Sequence, residues 1–142
     1  MTDLSSSDWI ALAREAQVTR PVFDSLYESP GASLRAAVRS SPQFSRQLVH
    51  EAEPFVIDIR LDYGSSLGEI RLIGQVLNAQ KPENMIRGVD IILLSEDGLV
   101  KRTHANNSGE FVLEFNPEPS LQLLINIRGF RAIGLVLPDL MS

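Results

Sequence analysis

The sequence predicts an all-β antiparallel sandwich carrying one short N-terminal helix. Three observations point there. From Phe55 onward, apolar residues recur with period 2, which places them on one face of a strand. The apolar runs are short, and turn formers such as Asp97-Gly98 and Asn106-Asn107-Ser108-Gly109 separate them. Seven such runs fit into about 85 residues, the spacing of a two-sheet sandwich.

Residues 5–17 read as the helix. Trp9, Leu12, Ala13 and Ala16 fall at i, i+3, i+4 and i+7 and form one apolar stripe. Ser5 and Asp8 have the spacing of a capping box, and Pro21 forbids continuation. A helix this short must dock its stripe or trade it for a partner. Residues 22–53 carry mixed signals. Pro30-Gly31 marks a turn, and Ser40-Ser41-Pro42 a loop. The run from Leu34 to Val38 fits both the helical and the strand period, with strands preferred. Arg46 to Glu51 is expected as a strand with Leu48 and His50 on one face, turned by Ala52-Glu53 into the next.

Phe55, Ile57, Ile59 and Leu61 then alternate with Val56, Asp58, Arg60 and Asp62, as in a half-exposed strand. Tyr63 to Gly68 is a turn. Ile70, Leu72, Gly74 and Val76 point inward, and a glycine at mid-strand implies a bulge or a close approach by another segment. The long polar loop Asn78 to Gly88 follows. Val89 to Leu94 is almost continuously apolar, so that strand is expected to be central and covered on both faces. Asp97-Gly98 makes a tight hairpin to Leu99–His104, and Asn106–Gly109 a second hairpin turn. Phe111, Leu113 and Phe115 form a core face; Leu121, Leu123, Ile125 and Ile127 another; Ala132 to Leu137 is the last strand. The expected core is Phe55, Ile57, Ile59, Leu61, Leu72, Val76, Val89, Ile91, Leu93, Phe111, Leu113, Phe115, Leu123 and Ile125.

Three segments, Leu72-Ile-Gly-Gln-Val-Leu77, Arg87-Gly-Val-Asp-Ile-Ile-Leu93 and Thr103-His-Ala-Asn-Asn-Ser-Gly-Glu-Phe111, together resemble the carboxypeptidase regulatory-like domain. That resemblance covers about residues 69–137 and implies a prealbumin (transthyretin)-like Greek-key sandwich of seven strands. The upstream runs Val22-Phe-Asp-Ser25, Arg46-Gln-Leu-Val-His-Glu51 and Ile57-Asp-Ile-Arg-Leu61 are similar to a bacterial group that carries the module near sigma-factor and anti-sigma-factor regulators. The chain then divides into an N-terminal helical arm, residues 1–21, and a single β-sandwich domain, residues 22–142. The implied role is a protein-protein interaction module whose partner is a sigma or anti-sigma regulator.

Composition narrows the chemistry. The 142 residues suffice for a core without disulfides, and there is no cysteine for a thiolate metal site. A net charge of −5 without a basic block disfavours nucleic-acid binding. Only Lys81 and Lys101 of 13 basic residues are lysine, which fits a high-GC bacterial genome. No apolar run approaches the roughly 20 residues of a membrane span, and the first residues do not read as a signal peptide, so a cytoplasmic protein is expected.

No catalytic set emerges, and no enzyme activity, metal or cofactor is expected. His50 and His104 lie on separate strands without acidic or thiol ligands at metal spacing. Ser65, Ser66 and Ser108 sit in turns, without a Gly-x-Ser-x-Gly elbow. Gly64 and Gly68 lack the lysine and helix of a phosphate loop. Asn106, Asn107, Ser108 and Glu110 cluster oxygens, yet too few carboxylates for calcium. Gln75 stands where a crosslinking lysine would be needed for an internal isopeptide bond. A small-ligand or carbohydrate-binding sandwich is the alternative; it wants exposed aromatic platforms, whereas Phe111 and Phe115 alternate inward. Recognition through a sheet edge or the N-terminal helix is the expectation that remains.

Overall fold

In the computed structural model, residues 6–28, 44–63, 68–83, 86–130 and 132–138 are described. They form one helix, α1 (Ser6–Glu15), and ten strands. These are β1 (Gln17–Thr19), β2 (Pro21–Glu28), β3 (Phe44–Ala52), β4 (Phe55–Tyr63) and β5 (Ile70–Asn78), then β6 (Val89–Ser95), β7 (Gly98–His104), β8 (Glu110–Phe115), β9 (Gln122–Ile127) and β10 (Ile133–Val136). They build two five-stranded sheets, ordered β1-β10-β9-β6-β7 and β2-β3-β4-β5-β8. The all-β sandwich expected from periodicity is the observed fold.

The second sheet is an antiparallel meander from β2 to β5 with β8 added beside β5. The hairpin between β3 and β4 follows the predicted turn: Ala52 pairs Phe55 across Glu53-Pro54, a cis peptide. In the first sheet Ser95 pairs Gly98 across the Glu96-Asp97 turn, with Gly98 at φ +122°. Two features differ from the expectation. β1 runs parallel to β10, Gln17 to Thr19 against Ile133 to Leu135, so the chain adds a strand before the predicted sandwich begins. The Asn106–Gly109 turn joins β7 of one sheet to β8 of the other, so it is an arch between layers rather than a hairpin.

The arch explains its own sequence. The Asn106 side-chain oxygen accepts from the N–H groups of Ser108 and Glu110, each at 2.9 Å, and its Nδ2 donates to Glu110 at 3.1 Å. These bonds satisfy the backbone where no ladder can. Gly109, at φ +79°, places its carbonyl 2.8 Å from the Val76 N–H; a Cβ there would lie 2.1 Å from the Val76 carbonyl oxygen. Of the oxygen cluster read as a turn rather than as a calcium loop, the Asn106 and Glu110 side chains are thus engaged in internal bonds.

Every residue expected in the core is buried, with Ile57, Ile59, Leu61, Leu72, Val76, Ile91, Leu93, Leu123 and Ile125 fully so. The sheets close over them from both sides. The glycine at position 74 is answered by an aromatic ring rather than by a bulge. Gly74 pairs Phe111 across β5 and β8, and a Cβ on Gly74 would come within 2.2 Å of that ring. β6 is covered on both faces, as its continuous apolar run implied, although β9 and not β6 is the middle strand. The second cover is α1. Leu12 and Ala13 pack on a separate buried cluster of Ala16, Ile92, Leu94, Leu124 and Ala132. Residues 46–51 form the expected strand within β3, with Leu48 and His50 both buried. The Leu34–Val38 run, the Pro30-Gly31 turn, the Ser5–Asp8 cap, Ser65, Ser66 and the Trp9 side chain lie outside the described residues.

Candidate interaction surfaces

Three places on the sandwich carry chemistry beyond packing: a buried histidine, the edge of β2 that is free among the described residues, and the outer face of the second sheet.

His50 sits on β3 with its side chain toward the core, where it is 1% exposed. Its Nδ1 lies 2.9 Å from Thr19 Oγ1 on β1, so one hydrogen bond ties the two sheets together at this margin. Its Nε2 has no partner among the described residues. Burial pushes the imidazole below its ordinary value; the Thr19 bond and the Asp24 carboxylate oppose that shift. This is a satisfied structural histidine on one side only. In the unfolded chain the ring takes a proton near pH 6.5, whereas in the fold it resists protonation. The unfolded state therefore binds more protons as pH falls below about 6.5, and stability declines over that window. We expect the melting temperature to fall between pH 7 and 5, and to fall less in His50→Gln, which keeps a hydrogen-bonding group without the titration. Parallel melting curves for the two proteins across that range would remove His50 as the cause.

His104 behaves differently. It is exposed at the end of β7, and its Nδ1 is 2.6 Å from the Asp90 carboxylate on the neighbouring β6. The two histidines lie in different settings: one is in the core, the other on the surface. Among the described residues no three metal-ligating side chains converge. Gln75 donates weakly to the Ser108 carbonyl at 3.4 Å.

β2 is the end strand of its sheet, with β3 as its one neighbour among the described residues. The pairing slips between Pro21 and Phe23 and is regular from Phe23 to Glu28. A proline and a bulge are devices that discourage edge pairing, and both sit at the N-terminal end. The regular part is unprotected by them. Along β2, Val22 is 61% exposed, Phe23 49% and Leu26 62%. Asp24 is held by Arg46 of β3 in a two-pronged ion pair, Nε and Nη2 each 2.8 Å from a carboxylate oxygen. That bond keeps the Asp24 carboxyl below its usual range, and reciprocally raises the Arg46 guanidinium. The pair stiffens β2 against β3 without covering its free edge. Phe44, 40% exposed, begins β3 beside this edge, paired with Glu28. Sequence periodicity gave the upstream strands no such prominence, because the run Val22-Phe23 next to Leu26-Tyr27 matches neither period cleanly.

The outer face of the same sheet forms an open groove of about 730 Å³, walled on one side by the end of β7 and the arch. Polar side chains of β3, β4 and β5 line it, with Ile73 and Val112 between them.

The helix offers less free surface than its stripe implied. Leu12 and Ala13 are committed to the cluster over β6 and β9, and Ile10 remains half exposed. No helix among the described residues is long and apolar enough to cross a membrane. Comparison with known protein families, with curated proteins and with solved structures gives no match for this chain.

Proposed function

We propose that the chain is a non-enzymatic interaction module that receives an extended segment of a protein partner along the free edge of β2. The supporting observation is the regular stretch Phe23–Glu28, which ends its sheet while Phe23 and Leu26 stand largely in solvent. An edge strand supplies unpaired N–H and C=O groups for β-augmentation, and flanking apolar side chains supply affinity. The ionisable groups described here favour a structural role. Asp24 pairs with Arg46, Arg60 with Asp62, His104 with Asp90, and His50 bonds Thr19. The similarity of the upstream runs to bacterial proteins found near sigma and anti-sigma factors makes such a regulator the first partner to test, in a cytoplasmic setting.

The experiment is affinity capture from the native host with the wild-type chain and with a Phe23→Lys/Leu26→Lys double variant. Both positions are exposed, so the lysines are tolerated by the fold and oppose a further strand. The expected result is a protein captured by the wild type and lost with the double variant, at unchanged melting temperature. Capture that survives both lysines would exclude the β2 edge.

A further inference from the structure

The groove on the outer face of the β2-β3-β4-β5-β8 sheet gathers side chains able to hydrogen-bond around a small apolar floor. Tyr27, Gln47, Asp58, Arg60, Gln75 and His104 line it. Its volume of about 730 Å³ falls in the range of small-ligand sites. Three of the polar groups are already oriented. Gln47 Nε2 donates to both Asp58 carboxylate oxygens, at 3.0 and 3.2 Å, which fixes an amide and a carboxylate side by side. Arg60 is steered by Asp62, at 3.3 Å. Between the polar groups the cross-strand pair Ile73 and Val112 supplies an apolar floor, and Val112 is 44% exposed.

Ligand classes can be separated by what these groups need. Asp58 and Glu110 oppose Arg60 in the lining, so no cationic field gathers a phosphate or a nucleic acid. A purely apolar ligand would strip water from the Gln47–Asp58 pair and from Arg60 without offering hydrogen bonds in return, at a cost for each group. A hydroxyl both donates and accepts, and so can meet a carboxylate, an amide, a guanidinium or an imidazole equally well. A sugar ring combines such hydroxyls with apolar C–H faces, which suit the Ile73–Val112 floor and the Tyr27 ring.

We propose that this groove is a binding site for a neutral glycan, with Gln47, Asp58, Arg60 and His104 bonding its hydroxyls. The site uses the outer face of the sheet, whereas the partner strand proposed above uses the edge of β2; the two readings stand or fall separately.

The test is native electrophoresis of the full chain in gels containing neutral polysaccharides in turn: xylan, galactomannan, amylopectin and a β-1,3-glucan. We expect retardation by at least one, weakened tenfold or more in Gln47→Ala and in Asp58→Asn. Neither substitution touches the core, and melting temperature reports whether each variant is folded. The Phe23→Lys/Leu26→Lys variant should be retarded like the wild type. No retardation by any of the four, or retardation unchanged in both groove variants, overturns the proposal. So does stronger retardation by the acidic polygalacturonate, which would show that charge rather than hydroxyl chemistry is recognised.

Discussion

Replacing Phe111 with alanine is expected to lower the unfolding free energy by about 3–5 kcal/mol, the usual cost of removing a buried phenylalanine ring. The environment places this site at the upper end. Phe111 is 3% exposed and lies directly on Gly74, so the ring fills space that no side chain of β5 occupies. Glycine in a strand is weak because it packs nothing, and the aromatic neighbour is what covers its backbone. Phe111→Ala therefore leaves a cavity with a bare glycine at its base, which the surrounding strands cannot close without shifting register. Denaturant titration measures the effect as a fall in midpoint at constant slope. An unchanged midpoint would mean that Phe111 is not seated on Gly74.

Deleting residues 1–20 is expected to unfold the protein or to leave it barely stable. From the sequence alone these residues look like an arm that the β domain can lose. The packing argues otherwise. Removal would uncover Ile92 and Leu124, both fully buried and each worth about 1.5–3 kcal/mol when buried. It would also strip β1 from β10 and leave His50 without its Thr19 bond. Against a total stability of about 5–15 kcal/mol, that loss is decisive. Circular dichroism and thermal melting of the truncated chain test it. A truncated protein that melts cooperatively within a few degrees of the full chain would show that α1 and β1 are dispensable.

Much of the fold was legible because its signals were local. Strict alternation in Phe55–Leu61 and Phe111–Phe115 fixed which face is buried, since a slip by one residue would have turned Asp58 or Glu114 into the core. Asp97-Gly98 announced its hairpin through the turn itself. The turn at Asn106–Gly109 was equally visible, but a turn signal does not say which sheet the next strand joins. That choice depends on β8 finding β5, more than thirty residues earlier. The same limit hid β1. Three residues, Gln17 to Thr19, carry no periodicity, and their partner β10 lies at the other end of the chain. Of the stripe expected from Trp9, Leu12, Ala13 and Ala16, the last three meet the sandwich, with Ala16 just past the end of α1, yet their receiving surface, Ile92 with Leu124, could only be found once β6 and β9 were adjacent. Of the candidate surfaces, neither histidine signalled its role. His50 and His104 look alike as strand residues, and only the sheet pairing decides that one faces the core. The outer groove draws its lining from six strands and the arch, so no contiguous motif could encode it.

The most direct measurement of the central claim is amide hydrogen exchange across the chain, free and bound to its captured partner. Docking along the edge predicts new protection at the β2 amides between Phe23 and Glu28, with α1 and β7 unchanged. Protection appearing at α1, at β7 or on β8 while β2 exchanges as fast as in the free protein would contradict the edge as the site of recognition.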